Sequence, residues 1–185
     1  VSGFTVGKSG NTAALIVGTA ITANGPINLY GGDISINQSM TSTAAGAGIL
    51  VKGTGNITQG DSTTVKTNGG DITYWSNSAS GGSGYISVGT AAVIDSRTNT
   101  GRAGVSAAST TLTGGGQITL AGGLDDGANG GTASDGIPDG YATTTSSAGI
   151  DLKTASIFSG GGNMVMRGKA TASSGFWGSG MQLNA

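Results

Sequence analysis

All acidic side chains of this 185-residue chain are aspartates, nine in number, and the chain has no His, Cys or Glu. Such a set can support carboxylate chemistry, above all glycoside hydrolysis or polysaccharide cleavage by paired aspartates beside a Lys or Arg. Asp33 and Asp71 each follow a Gly-Gly pair, and Asp95 and Asp151 are the other candidates. An Asp in such a place can instead cap a turn by accepting bonds from backbone N–H groups. We therefore predict no catalytic residue and a non-enzymatic protein.

A second group of aspartates lies in a long polar, Gly-rich stretch between residues 121 and 147. The hard oxygen ligands that Ca²⁺ favours are carried there by five side chains, Asp125, Asp126, Asn129, Asp135 and Asp139. The run SDGIPDG at 134–140 also resembles the DGIPD element of thrombospondin-type calcium repeats, without the regular Asp-x-Asp-x-Asp series before it. The four aspartates are thus a candidate calcium site, and a solvated acidic loop is the alternative. No other cofactor is expected.

Two tryptophans are candidates for contact with a ligand or a partner. In an alternating strand Ile72 and Tyr74 share one face, so Trp75 lies on the other. If Ile72 faces the core, Trp75 is predicted to point outward, where an indole can stack on a sugar ring. Trp177 is the second candidate. The alternative for both is coverage by a loop or by a neighbouring chain.

Composition excludes several classes of function. Without His or Cys, zinc sites and nucleophilic triads are not available. A formal net charge of −1 provides no basic surface for nucleic acid. The longest apolar run, residues 13–17, is far shorter than the roughly 20 residues of a membrane-spanning helix. We expect neither nucleic acid binding nor membrane insertion.

Repeats in the sequence indicate which strands and turns position these residues. A Gly-Gly pair, a polar residue and alternating apolar positions recur as GGDISI (31–36), GGDITY (69–74), GGQITL (115–120) and GGNMVM (161–166). Such alternation is typical of short half-buried strands, and Gly and Asn supply the turns between them. Eleven apolar pairs follow this pattern: Phe4/Val6, Leu15/Val17, Ile27/Leu29, Ile34/Ile36, Ile49/Val51, Ile72/Tyr74, Ile86/Val88, Ile118/Leu120, Ile150/Leu152, Met164/Met166 and Met181/Leu183.

Spacing predicts how these strands are arranged. One column of isoleucines recurs every 22–24 residues, at Ile27, Ile49, Ile72, Ile94 and Ile118. Three short strands and three turns per period make a roughly triangular coil, and stacked coils form a parallel β-solenoid. The right-handed sense follows from the general rule for parallel crossovers. We therefore predict an all-β fold with one segment of about eight coils over residues 1–185; a β-sandwich is the competing fold.

The regular spacing of the isoleucine column is lost after Leu120. Residues 121–147 are predicted to be a loop insertion with at most one poor strand, although Tyr141 keeps the period and one coil could be hidden there. A second break is expected at residues 168–180, before the last strand-like piece.

The sequence pattern of the repeats resembles that of a known family. The run INLYGGDISINQSMTSTAAGAGILVKGTGNITQG, then TNGGDITYWSNS and GGGQITLAGGLDDG, resembles the repeat regions of filamentous-haemagglutinin-like bacterial surface and secreted proteins. This resemblance implies a right-handed parallel β-helix that acts as an extracellular adhesin or surface fibre, with surface glycans among its candidate partners. It supplies no catalytic residue. A carbohydrate-binding or polysaccharide-cleaving β-helix module is the alternative function.

Both ends of the sequence carry strand patterns rather than caps. VSGFTVG at the start contains Phe4/Val6, and SGMQLNA at the end contains Met181/Leu183. A solenoid leaves unpaired strand edges at its ends, and natural solenoids cover these edges with polar caps. We therefore expect like segments to stack end to end, in a longer chain or in a homopolymer.

Overall fold

The computed structural model describes residues 1–79, 82–99, 114–144, 148–170 and 179–184. In these ranges the chain is all-β, with nineteen strands and one 3-10 turn at Ala128–Gly130. The strands of its three large sheets stack in parallel, which confirms the predicted solenoid class of fold. Residues 171–178, which hold Trp177 and much of the second expected break, lie outside the described ranges.

The strands are short, three to six residues each, and every apolar pair predicted above lies within one of them. In chain order they are β1 (Phe4–Val6), β2 (Leu15–Val17), β3 (Ile21–Ala23), β4 (Ile27–Gly31), β5 (Ile34–Ile36), β6 (Met40–Ala45), β7 (Ile49–Gly53), β8 (Ile57–Gln59), β9 (Thr64–Asn68), β10 (Ile72–Ser76), β11 (Ile86–Val88), β12 (Val93–Asp95), β13 (Ile118–Gly122), β14 (Ala142–Thr144), β15 (Ala148–Lys153), β16 (Ser156–Phe158), β17 (Met164–Met166), β18 (Gly168–Ala170) and β19 (Ser179–Asn184).

Three sheets are built by a chain that visits them in turn. Sheet A has the order β1-β4-β7-β10-β13-β17, and sheet B has the order β2-β5-β8-β11-β15-β19. Sheet C has the order β3-β6-β9-β12-β16, and β14 pairs with β18 in a separate two-stranded sheet. One circuit of the chain therefore adds one strand to each of the three large sheets, and we call the strands of one circuit a rung.

The predicted isoleucine column is present in sheet A, with one error. Ile27 pairs with Ile49, Ile49 with Ile72, and Ile72 directly with Ile118. The placement of Ile94 in this column was wrong, because Ile94 lies in β12 of sheet C and pairs there with Val65 and Ile157. Its 22-residue spacing from Ile72 was a coincidence of sequence, since the coil that begins at Ile72 is about twice as long as the one before it.

The coils lengthen toward the C-terminus. Ile118 pairs directly with Met164, so no coil is hidden at Tyr141 between them. Sheet A consequently has six rungs rather than the predicted eight or so. Between β13 and β14, residues 123–141 contain only the 3-10 turn and no strand. The extra length of the late coils lies in such connections, which a periodic pattern does not count.

Inside the three sheets, inward side chains form a continuous core. Ile27, Ile34, Ile57, Ile72 and Ile118 are fully buried in it. A few polar side chains interrupt the columns: Gln59 follows Ile36 and precedes Val88 in sheet B, and Ser42 follows Ala23 in sheet C. The alternation of the strands thus produces the core, and Gln59 is its main exception.

The Gly-Gly pairs lie at corners, where the two glycines have different reasons to be there. Gly69 has a φ of +80°, which a residue with a side chain rarely adopts. Gly70 has no such φ, but a Cβ on it would collide with the carbonyl oxygen of Ala47 in the coil beneath. Gly116 and Gly162 stack in the same manner, each against the backbone of the corner below. The repeated motif therefore permits close backbone contact between coils.

Candidate functional site

The first rung of the solenoid is an open apolar edge. Its strands β1, β2 and β3 read FTV, LIV and ITA and contain no charged residue. Ile16 is 67% exposed, and an open cavity of about 190 Å³ lies at this end. Among the residues that line the cavity are the inward side chains Phe4, Val6, Leu15, Val17, Ile21 and Leu29. A strand edge with these properties is suited to pairing with another strand.

The last rungs have the same character at the opposite edges. Strands β16, β17 and β19 read SIF, MVM and SGMQLN, again without a charged residue. Met164 and Met181 are exposed, and Leu183 is 69% exposed. By contrast, strands in the middle of the rod carry Lys52, Lys66 and Asp95. The end strands of sheets A, B and C are therefore uncharged and largely apolar, whereas Lys169 lies in β18 beside β19 at the C-terminal end.

The outer face of sheet A holds the candidate contact residue Trp75. Trp75 pairs across the sheet with Lys52 and Ala121, and it lies outside the core cluster that contains Ile72 and Tyr74. Although it is on the outer face, it is only 5% exposed. Its indole N–H donates to the carbonyl oxygen of Gly123 (2.7 Å), at the start of the 123–141 segment. That segment covers Trp75, so the indole face is not open to a sugar in this conformation.

Lys52 completes the cover of Trp75. Its Nζ lies 3.3 Å from the centroid of the indole ring, in a cation–π contact. Burial lowers the pKa of the Lys52 ammonium, and the negative charge of Asp125 opposes this shift. Trp75, Lys52 and Gly123 thus form one packed unit that joins sheet A to the 123–141 segment. The role of Trp75 as a ligand contact stays a prediction, and so does that of Trp177, which lies outside the described residues.

The four aspartates of the candidate calcium site hold turns in the 123–141 segment. Asp125 accepts bonds from the N–H groups of Asp135 (3.2 Å) and Gly136 (2.8 Å). Asp126 and Asp135 each accept from the N–H group two residues further along, at 3.0 and 2.9 Å. These contacts stabilise the segment without any ion.

Asp139 is the most buried of the four, with only 1% exposure. Its Oδ2 accepts from the N–H of Gly127 (2.7 Å), and its Oδ1 lies 3.7 Å from Nη1 of Arg167 without a hydrogen bond. Within the described ranges, no three His, Cys, Asp or Glu side chains lie close enough together to hold a metal ion. The calcium site therefore stays a prediction, and the guanidinium beside Asp139 argues against a cation there.

The remaining aspartates are spread around the rod. Asp33 precedes β5 of sheet B, whereas Asp71 precedes β10 of sheet A, so the two lie at different corners. Asp95 lies in sheet C, where it binds Arg97 in a bidentate ion pair at 2.9 Å. Asp151 lies in β15 of sheet B, 3.8 Å from Lys153. Asp33, Asp71, Asp95 and Asp151 thus do not share one strand or one turn.

Asp33 and Asp71 bond to the next coil rather than to their own turn. Asp33 Oδ1 accepts from the N–H of Asn56 (2.8 Å), and Asn56 Oδ1 accepts in turn from the N–H of Tyr85 (3.1 Å). Asp71 Oδ1 accepts from the N–H of Gln117 (2.7 Å). The sequence analysis missed Asn56, although its 23-residue spacing from Asp33 equals one coil and could have revealed it.

A second open cavity, of about 200 Å³, lies on the outer face of sheet A. Asn28, Leu50, Asp71 and Thr73 line it from the sheet, and Gly136 lines it from the 123–141 segment. It combines amide, carboxylate and hydroxyl groups with the apolar residues Pro26, Ile49 and Leu50. Such a mixture can bind a small polar ligand.

Comparisons with known proteins identify no relative: no family model, curated protein or solved structure matches this chain. In the part of the chain that the structure describes, no helix has the length and hydropathy of a membrane span. What the protein does must therefore be inferred from the geometry described above.

Proposed function

We propose that this chain is a non-enzymatic structural segment of an extracellular bacterial surface protein or fibre, whose coils stack end to end with further coils. The observation that carries the proposal is the uncharged and largely apolar character of the end strands of sheets A, B and C. Proteins that must avoid edge pairing place Lys, Pro or other blocking residues on edge strands. The edges of this solenoid have the composition of strands that pair.

Finer features of the architecture belong to the same proposal. The coils are right-handed and roughly triangular, and residues 121–147 are a loop insertion. Support comes from the cyclic order of the three sheets and from the strand-free stretch 123–141. A right-handed sense is the general rule for parallel crossovers. The insertion packs on Trp75 and so thickens one side of the rod without interrupting sheet A.

The extracellular and adhesive part of the proposal depends on the resemblance to filamentous-haemagglutinin-like repeats. A chain without Cys or His has no thiol to oxidise and no imidazole to gain a proton. Such a composition suits a passive rod outside the cell. Expression of the chain in its native organism, followed by surface immunolabelling of intact cells, tests the location; labelling only after lysis would contradict it.

Sedimentation velocity of the 185-residue chain over a wide concentration range tests the stacking itself. We expect the wild type to associate, and Val6→Lys to weaken association by at least about tenfold, because the new ammonium would be buried in the contact. Ser87→Lys is the matched control, since Ser87 lies on the outer face of β11 in mid-rod and should change nothing. A wild type that remains monomeric at every concentration would overturn the proposal.

The alternative function, carbohydrate binding, is favoured by one observation, the cavity beside Asn28, Asp71 and Thr73. A glycan array probes this directly. If the cavity binds a glycan, Thr73→Arg should fill it and abolish the signal, whereas Ser87→Arg on sheet B should not. If the wild type gives no signal on the array, carbohydrate binding is contradicted and only the structural function remains.

A further inference from the structure

We infer that the cavity of about 200 Å³ on the outer face of sheet A binds an amino sugar, whose ammonium group pairs with the carboxylate of Asp71. Such a site goes beyond the proposed structural function, because it gives a rod of stacked coils a specific ligand. It also narrows the alternative function, carbohydrate binding, from sugars in general to sugars that carry a positive charge.

The floor of the cavity is one outward column of sheet A. Asn28 pairs with Leu50, and Leu50 pairs with Thr73, so the three are consecutive members of this column. Neighbouring strands lie about 4.8 Å apart. A sugar ring that rests on Leu50 therefore has Asn28 one strand away on one side and Thr73 one strand away on the other. Pro26 adds a second apolar surface.

Asn28 and Thr73 carry the polar groups that sugar hydroxyls need. The amide of Asn28 donates through Nδ2 to the hydroxyl of Thr5 (3.3 Å), which leaves its Oδ1 as an acceptor for a ligand. The Thr73 hydroxyl has no hydrogen-bond partner among the described residues, and a hydroxyl can both donate and accept. A ligand with several hydroxyl groups can use both side chains.

Asp71 supplies the charge. Its Oδ1 accepts from the N–H of Gln117 in the next coil (2.7 Å), and its Oδ2 takes no part in that bond. Within the described ranges Asp71 is exposed and forms no ion pair, and neither Lys nor Arg lines the cavity. A hydrogen bond between an ammonium and a carboxylate is about twice as strong as a neutral one. A cationic sugar therefore gains from Asp71 what a neutral sugar does not.

The cavity offers no aromatic ring on which a neutral sugar could stack. Its apolar lining is aliphatic, and Trp75, in the same strand as Thr73, is covered by the 123–141 segment. An indole would supply a large amphipathic contact surface. Without it, the carboxylate is the feature of this cavity that most favours one class of sugar over another.

The 123–141 segment forms one wall and limits the size of the ligand. Gly136 lines the cavity, and its N–H donates to Asp125 Oδ2 (2.8 Å), which holds the wall in place. The volume of about 200 Å³ is below the roughly 300–1,000 Å³ of pockets for drug-sized ligands. The cavity therefore has room for a single ring, and a longer glycan would extend from its open side.

NMR titration of the ¹⁵N-labelled 185-residue chain tests the site with four small probes. Glucosamine carries an ammonium and hydroxyls, N-acetylglucosamine and glucose lack the charge, and n-butylamine has the ammonium of a lysine side chain without hydroxyls. At a pH of about 6 the amine of glucosamine is protonated, as an α-amino group would be.

We expect glucosamine to shift the amide signals of Leu50, Thr73 and Gly136, with a dissociation constant of about 1 mM for so small a ligand. The other three probes should bind at least about threefold more weakly, because each lacks either the charge or the hydroxyls.

Asp71→Asn separates the charge from the fold. The new amide oxygen can still accept from the N–H of Gln117, as Asn56 does from the N–H of Tyr85 at another corner. Glucosamine should then bind no better than glucose, while urea unfolding is unchanged. Asp61→Asn is the matched control, since Asp61 is exposed, accepts from the N–H of Thr90 (2.8 Å) and does not line the cavity. It should alter neither measurement.

The possible failures differ from one another. Equal affinity of the wild type for glucose and glucosamine would overturn the pairing with Asp71 but leave carbohydrate binding intact. Binding of n-butylamine as tight as that of glucosamine would replace the sugar by a lysine side chain of a partner protein. An unchanged preference for glucosamine in Asp71→Asn, or no shift with any probe, would overturn the site altogether. None of these results affects end-to-end stacking, which sedimentation measures separately.

Discussion

The hydroxyl of Tyr74 donates a 2.8 Å hydrogen bond to Oε1 of Gln59 inside the solenoid, across from sheet A to sheet B. The Nε2 of Gln59 donates to the carbonyl oxygens of Thr63 and Val93, both at 3.1 Å. Every polar atom of the Gln59 side chain thus has a partner in a core that is mostly apolar. This network joins two successive coils, since Gln59 lies in the third circuit of the chain and Tyr74 and Val93 lie in the fourth.

Because the two side chains satisfy each other, their removal should not be additive. Tyr74→Phe leaves Gln59 Oε1 buried without a donor and should lower the free energy of unfolding by about 1–3 kcal/mol. Gln59→Leu leaves the Tyr74 hydroxyl buried without an acceptor, and the loss of stability should be similar. The double variant should lose less than the sum, by about 0.5–3 kcal/mol. Urea unfolding of the four proteins at one low concentration measures this; additive losses would contradict the network.

Tyr74 should also make the protein sensitive to alkali. Burial raises the pKa of its hydroxyl well above the ordinary value. Above a pH of about 10 the unfolded chain releases this proton and the folded chain retains it, so the free energy of unfolding falls as pH rises. The wild type should lose stability faster than Tyr74→Phe by up to about 1.4 kcal/mol per pH unit. Urea titrations between pH 9 and 11 compare the two, and parallel curves would refute this expectation.

The sequence predicted the strands better than the coils. Alternation is local, so Ile86/Val88 and Met181/Leu183 were placed correctly within strands. Column membership depends on the length of each connection, and Ile94 was misplaced because the connection between β10 and β11 is longer than the equivalent connections in the earlier coils. The burial of Trp75 depends on Gly123, which is 48 residues away, and no local pattern reports such a contact.

The contact between Lys52 and Trp75 should contribute a measurable part of the stability. Lys52→Met retains an apolar stem over the ring but removes the charge, and we expect a loss of about 0.5–1 kcal/mol. Lys8→Met is the matched control, because Lys8 is exposed in a turn and should change the stability by less. Thermal unfolding followed by circular dichroism gives both values. Equal effects of the two substitutions would mean that the cation–π contact adds nothing.

Asp33 should act as a hydrogen-bond acceptor rather than as a charge. Its Oδ1 accepts from the N–H of Asn56. One coil later, at the same corner, the Oδ1 of Asn56 accepts in the same way from the N–H of Tyr85. Asp33→Asn should therefore be nearly neutral, whereas Asp33→Ala should cost about 1 kcal/mol because the N–H of Asn56 loses its partner. Urea unfolding of both variants tests the corner. A large loss in Asp33→Asn would show that the carboxylate charge matters.

Asp139 should be the aspartate on which the 123–141 segment depends most. It is buried, accepts from the Gly127 N–H and lies beside Arg167, whereas Asp126 is exposed and caps only a local turn. Asp139→Ala should destabilise the protein by about 1–3 kcal/mol, because the Gly127 N–H and the Arg167 guanidinium lose a buried partner. Asp126→Ala should cost less.

Differential scanning fluorimetry in millimolar calcium and in a chelator compares these variants with the wild type. We expect no calcium-dependent shift, because each carboxylate already accepts from backbone N–H groups. A stabilisation by calcium that disappears in Asp139→Ala would instead establish a metal site in this segment.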